Sequence, residues 1–167
     1  VHPTPSPLPL PSKGLTLIPK RINLPVVRES IGVADARQVA EAGKIYDDLI
    51  GFVPPRIEAR LNVTGALDPK LVDLQEQMRA HAMYPRSFDV KTAQMMLFGM
   101  LLMDGSDAAV LHAIAARRAG ATWHELQDVI NLCFLFRGLS AANKGAELLA
   151  NLAAMEQEQT AKASASQ

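Results

Sequence analysis

From Ala34 to Met155 apolar side chains recur at three- and four-residue spacings, and no run of alternating apolar and polar residues lies between turn signals. That pattern excludes a fold built on a sheet. An all-α bundle is expected, and the chain marks its own helix ends. Asp35 opens a first amphipathic helix that runs to about Ile50. Pro54-Pro55 starts a short second one that ends near Gly65, because proline suits a first helical turn whose N–H has no partner anyway. Asp68-Pro69 repeats the device, and the helix that follows stops at Tyr84-Pro85.

A fourth helix starts near Ser87 or Asp89. It carries Met95, Met96, Leu97, Phe98, Met100, Leu101, Leu102 and Met103 on all of its faces, which is the composition of a central helix. Asp104-Gly105-Ser106 breaks it. The next helix keeps Val110, Leu111, Ile114 and Ala115 on one side and ends at Arg117-Arg118-Ala119-Gly120, with cations on the last carbonyls and glycine beyond them. Thr122 and Glu125 have the spacing of a capping box, which opens a sixth helix up to Phe136. A seventh starts at Ser140 and is expected to fray after Met155.

Three segments result: a proline-rich extended arm at 1–33, an all-α domain at 34–156 and a polar tail at 157–167. Pro3, Pro5, Pro7, Pro9, Pro11, Pro19 and Pro25 fix φ and remove donors, so the arm is expected to be extended. Leu15-Thr16-Leu17-Ile18 and Ile22 to Val27 are too apolar for a solvated linker, so the arm should dock on its own domain or on a neighbour.

Seventeen Lys and Arg balance seventeen Asp and Glu, which leaves no field to gather nucleic acid or an anionic membrane. The longest apolar run, Met95 to Met103, is about half of the ~20 residues that a bilayer span needs. No charged n-region followed by an apolar h-region opens the sequence, so a cytoplasmic location is expected, and the valine at position 1 leaves open a cleaved signal before it. Cys133, the one cysteine, lies in an apolar run and reads as a small buried hydrophobe. No H-x-x-x-H, H-E-x-x-H, cysteine pair, P-loop or G-x-G-x-x-G after a strand appears, so neither a metal nor a nucleotide cofactor is expected.

The stretch Leu111 to Asn143 says most about function. His112 is followed eight residues later by Gly120, then by Thr122, Glu125 and Val129, then by Phe136-Arg137-Gly138. This resembles the carboxymuconolactone decarboxylase and alkylhydroperoxidase D-like family, whose usual string is H-x7-G-x-T-x2-E-I-x-x-V followed by Y-x-G. Upstream, Asp89-Val90-Lys91-Thr92-Ala93-Gln94 is similar to that family's D-x-[KR]-T-R-E. The resemblance covers Asp89 to about Leu149 and implies a helical bundle that assembles as a homo-oligomer, a trimer or a hexamer. It also exposes departures. The peroxidase branch has C-x-x-C-x-x-x-H, and here those cysteine positions are Gly105 and Ala108. The family's Arg and proton-relaying Glu are Ala93 and Gln94, and the decarboxylases' second histidine is Leu132, while Asn143 matches and the histidine after it is Lys144.

The resemblance makes His112 the general acid or base, since both branches keep a histidine there, and an imidazole with an ordinary pKa near ~6.5 exchanges protons at neutral pH. His81 and Tyr84 are candidate second proton carriers, and Arg86 or Arg137 a candidate anion holder; the plainer reading is that His81 and Arg79 complement a helix C-terminus and Tyr84 snorkels. Gln94, Met96, Leu132 and Phe136 are candidate pocket walls, together with Met95 and Met100. His124, on a first helical turn, is expected to be exposed. The first functional reading is a cofactor-independent decarboxylase, lyase, isomerase or lactone-acting enzyme on a small or medium organic acid, lactone or enone. The alternative is a catalytically silent relative that serves as a binding or assembly module, in keeping with the inert groups at Ala93, Gln94 and Leu132. A peroxidase working through Cys133 alone has no resolving thiol.

Overall fold

The computed structural model describes residues 20–165, and among these it has eight helices and no strand. They are α1 (Leu24–Ser30), α2 (Ala36–Ile50), α3 (Pro55–Leu67), α4 (Pro69–Met83), α5 (Val90–Met103), α6 (Ala109–Arg118), α7 (Trp123–Arg137) and α8 (Leu139–Ala165). The caps read from the sequence hold. Asp35, Asp68 and Asp89 each accept a backbone N–H from the first turn they precede, and Thr122 and Glu125 form both halves of the capping box.

Three expectations need correction. Extended geometry does not persist to residue 33: Leu24–Ser30 is a helix capped by Asn23, with Pro25 in its first turn, where the ring's fixed φ is already helical. This helix packs on α3, so the apolar end of the arm docks on its own chain. The other arm prolines before Lys20, the segment Leu15 to Ile18 and His2 lie outside the described residues. The second correction concerns the tail, which continues as helix to Ala165. Its Gln, Glu, Ala and Lys are strong helix formers, and the hydroxyls of Thr160 and Ser164 bond back to the carbonyls of Glu156 and Thr160 (2.9 and 3.0 Å) without ending the helix. The third concerns the most enclosed helix. Met96 and Met100 of α5 face outward, whereas α6 buries Ala109, Val110, Ala113, Ile114, Ala115 and Ala116. Alanine on most sides of α6 lets α2, α5 and α8 pack directly against it.

The main core joins α5–α8 with Tyr46, Leu49 and Ile50 of α2, around Phe98, Leu102, Leu126 and Ile130. A smaller cluster of Ala42, Leu61 and Val72 ties α2 to α3 and α4, and Ile57 touches both. α2 is therefore the seam between two helical layers, and the polar side chains that follow lie along it.

Candidate active site

α5 and α6 run back to back because Asp104-Gly105-Ser106 reverses the chain, with Gly105 at φ 74°, a left-handed value that favours glycine. The reversal sets Gln94, early in α5, beside His112 on α6. Their side chains meet at 2.8 Å, Nδ1 to Oε1. An amide oxygen only accepts, so Nδ1 carries the proton and donates, which leaves Nε2 with a free lone pair. Gln94 is fully buried, and its own Nε2 has no partner. The imidazole is partly buried. Burial first, and the guanidinium of Arg79 second, lower its pKa from 6.5 to about 4, so it is neutral at pH 7.

Arg79, on α4, is held by its face. Its guanidinium carbon lies 3.9 Å from the centroid of the Tyr46 ring, and Nη2 reaches the Met83 sulfur at 3.4 Å. Nη1 makes no hydrogen bond, and Glu76 Oε2 is 3.9 Å away. The other oxygen of Glu76 accepts from the Tyr46 hydroxyl at 3.0 Å and makes a short ion pair with Arg60. Arg60 Nη2 also donates to the Tyr46 hydroxyl at 3.0 Å, and its Nη1 donates to Gln75 at 2.8 Å. Burial raises the Tyr46 pKa above 10, so the phenol stays neutral.

Arg60, Glu76, Tyr46 and Arg79 thus form one polar cluster, and the charge of Arg79 is felt at His112. Residues 69–151, from the start of α4 into α8, match the model of the Carboxymuconolactone decarboxylase family. The chain belongs to that family. Comparisons with curated proteins and with solved structures gave no match. The matched segment holds Glu76, Arg79, Gln94 and His112, while Tyr46 and Arg60 reach the site from α2 and α3 outside it.

Of the candidates read from the sequence, Gln94 and His112 come together. His81, Tyr84, Arg86 and Arg137 face solvent, and no hydrogen bond among the described residues links them to His112. Met96 (41% exposed), Leu132 (64%) and Phe136 (79%) also point outward. Met96 lies two residues past Gln94 and so on the far side of α5, and Leu132 and Phe136 share an α7 face away from the core residue Cys133. In the single chain none of the three walls a hollow around His112. Two hollows, of about 330 and 470 Å³, lie along α1–α3 and between α2 and α4, away from His112. Ala116, one turn beyond His112 on α6, is fully buried.

Cys133 is buried, its thiol 3.5 Å from the Gly99 carbonyl oxygen, and burial raises its pKa. It packs as the small hydrophobe expected. His124 is exposed as expected. The sequence reading missed Arg79 as a site residue by assigning it to the C-terminus of α4. The available signal was the Glu76 and Arg79 pair, one turn apart and facing the aromatic residue of an apolar α2 stripe. Among the described residues no helix is long and apolar enough to cross a membrane, and no group of three or more His, Cys, Asp or Glu is placed to hold a metal.

Proposed function

We propose that this member of the family is a cofactor-independent acid–base enzyme acting on a small or medium organic acid, lactone or enone, with His112 Nε2 as the proton acceptor. The observation that carries the reading is the 2.8 Å bond from His112 Nδ1 to the buried amide of Gln94. It fixes one tautomer, as an orienting carboxylate does in other general-base sites, without adding a charge that would hold the proton on the ring. Double-bond isomerisation and eliminative lactone opening pass through enolate-like states that a neutral base forms by taking an α-proton. Decarboxylation leaves such an enolate as CO2 departs and then needs a proton returned to carbon. A nearby cation stabilises the enolate in each case. Arg79 provides the positive charge that His112 feels, while His81, Tyr84 and Arg86, further along the chain, face solvent.

The test is C–H to C–D exchange at acidic α-carbons, followed by NMR in deuterated water over a panel of carboxylic acids, lactones and enones. The full chain is expected to catalyse exchange on at least one class, and His112→Gln to lose on the order of 100-fold of it. No exchange on any class, or equal exchange by the variant, refutes the reading.

One observation favours the second reading, an assembly module. Leu132, Phe134, Leu135, Phe136 and Leu139 leave a broad apolar surface at the α7–α8 corner, with Leu135, Phe136 and Leu139 each about 70% exposed or more. We propose that this surface joins copies of the chain into a trimer or hexamer, and that Met96 and Met100 extend it. Leu135→Asp is then expected to give a smaller species in sedimentation. An unchanged mass refutes the assignment.

A further inference from the structure

We propose that the hollow of about 330 Å³ along α1, α2 and α3 binds a primary ammonium ion carried on an apolar body, with the Glu58 carboxylate and Asn62 Oδ1 accepting its N–H groups. This site stands apart from His112 and does not depend on the acid–base reading. Every residue that lines it falls between Leu24 and Asn62, before the segment that matches the family model.

The first support is shape. Ala36, Ala40 and Gly43 stand at i, i+4 and i+7 on α2, so that side of the helix carries no bulk toward the hollow. Val27 of α1, Val39 of α2, Val53 ahead of α3 and Leu61 within it supply apolar walls. A space of this size falls among those that hold small organic molecules, about 300–1,000 Å³. α1 buries none of its residues, so it is a wall that gives way at little cost when a guest enters.

The second support is a set of acceptors without donors. Glu58 lines the hollow with a side chain only 18% exposed, and neither of its oxygens accepts a hydrogen bond among the described residues. Arg21 lies 3.9 Å from Oε1, beyond hydrogen-bond reach, and its side chain is 70% exposed. Asn62, one turn further along α3, also lines the hollow. Its Nδ2 donates to the Glu58 carbonyl at 2.8 Å. A carbonyl only accepts, so the amide's orientation is fixed and Oδ1 is left without a donor among the described residues. A largely buried carboxylate with no donor is costly, and two such acceptors one turn apart suit a group that brings several N–H donors.

The third support is charge. Glu58 sits in the first turn of α3, where the helix dipole favours a negative charge. Arg21 is mostly in water, and Arg28, which lines the hollow from α1, is exposed, so solvent screens both guanidiniums. The least screened charge at the hollow is therefore the negative one, and it selects a cationic guest. An ammonium has three N–H groups to share between Glu58 and Asn62, while its apolar body lies against Val39, Val53 and Leu61.

The test uses the full chain at neutral pH with benzylamine, phenethylamine and hexylamine, and with benzyl alcohol, phenethyl alcohol and hexanol as neutral counterparts of like shape. Binding is measured by calorimetry and located by NMR shifts of the Val27, Val39, Val53 and Leu61 methyl groups. At least one amine is expected to bind and to move these methyls, and its alcohol to bind on the order of tenfold more weakly. Glu58→Gln, which keeps the shape and removes the charge, is expected to cut amine affinity by on the order of tenfold and to leave the alcohol unaffected. Ala40→Phe, at an exposed position of α2, puts a ring into the hollow and is expected to weaken amine and alcohol together. Should one variant fail to fold, the other variant and the comparison of amine with alcohol in the unaltered chain still decide. The proposal is overturned if no amine binds, if amines and alcohols bind alike, if Glu58→Gln holds the amine as tightly as the parent, or if the shifts centre away from these methyls, on His112 for instance. An amine seated here, in a protein that exchanges no C–H, leaves this site standing and removes the acid–base reading. Exchange without amine binding does the reverse.

Discussion

Lowering the pH should destabilise this protein through His112. The imidazole has its pKa lowered from 6.5 to about 4, with burial as the larger cause and Arg79 as the smaller. Between those values the unfolded chain binds a proton that the folded chain refuses, so stability rises with pH across the window and is lost as pH falls through it. Above pH 6.5 both states are neutral and the residue makes no difference. The proton-linkage relation then gives a loss of about 2 kcal/mol at pH 5 and about 3 kcal/mol near pH 4. His112 is only partly buried, so solvent screening trims this by about half. The assay is urea unfolding of the parent chain and His112→Gln at half-unit steps from pH 4 to 7.5. Glutamine keeps a donor for Gln94 Oε1 and does not titrate, and the carboxylates that also respond to acid are common to both proteins. The difference between the two pH profiles therefore isolates the imidazole. The parent should lose about 1 to 3 kcal/mol more than the variant between pH 7 and pH 4. Parallel profiles would refute the placement of a neutral imidazole between Gln94 and Arg79.

Three further outcomes are expected. Gly145→Ala on α8 should destabilise: the new Cβ would lie 2.7, 2.8 and 3.0 Å from three side-chain carbons of the buried Ile130, and the overpacking cost of about 1–3 kcal/mol exceeds the helix propensity gained, about 1 kcal/mol. Denaturant melts check this, and a gain in stability would contradict the close α7–α8 approach. Thr122→Ala should cost about 1 kcal/mol, or about 2–4 °C in Tm, by removing the acceptor for the Glu125 N–H, with no change in His112 signals. Gln94→Glu should raise the His112 pKa above its parent value, because a carboxylate at 2.8 Å from Nδ1 favours the imidazolium; NMR titration reads the direction, and no rise refutes the hydrogen bond.

The helices were legible because their ends are written in single residues. Asp35, Asp68 and Asp89 with the prolines behind two helix starts, and Thr122 with Glu125, specify local hydrogen bonds that tertiary packing does not override. The ends without such markers went wrong. Pro25 was read as extended because its φ serves both geometries, and the tail after Met155 was read as frayed for want of apolar residues, although its helix formers and the Arg117–Glu156 ion pair at its base suffice. The site divided along the same line. His112 was found from spacing within one matched segment, and its partner Gln94 from the next. Arg79, Tyr46, Glu76 and Arg60 come from three helices whose relative placement no local pattern encodes, so the charge that tunes the imidazole was hidden.

The amide at position 94, where the resembled family has a glutamate, suits the geometry around His112. A carboxylate there would share a proton with the imidazole and, in the peroxidase branch, would pass it to cysteines that this chain lacks. With Gly105 and Ala108 in their places, a relay has nothing to serve. The amide keeps the one property the imidazole still needs, an acceptor that holds Nδ1–H, and withholds the charge that would trap the ring as a cation. It also adds a donor that a carboxylate cannot offer, left without a partner in a buried position. An amide at position 94 in place of the acid therefore fits a site in which the imidazole stays neutral and is held in one tautomer, rather than one that moves protons between fixed groups.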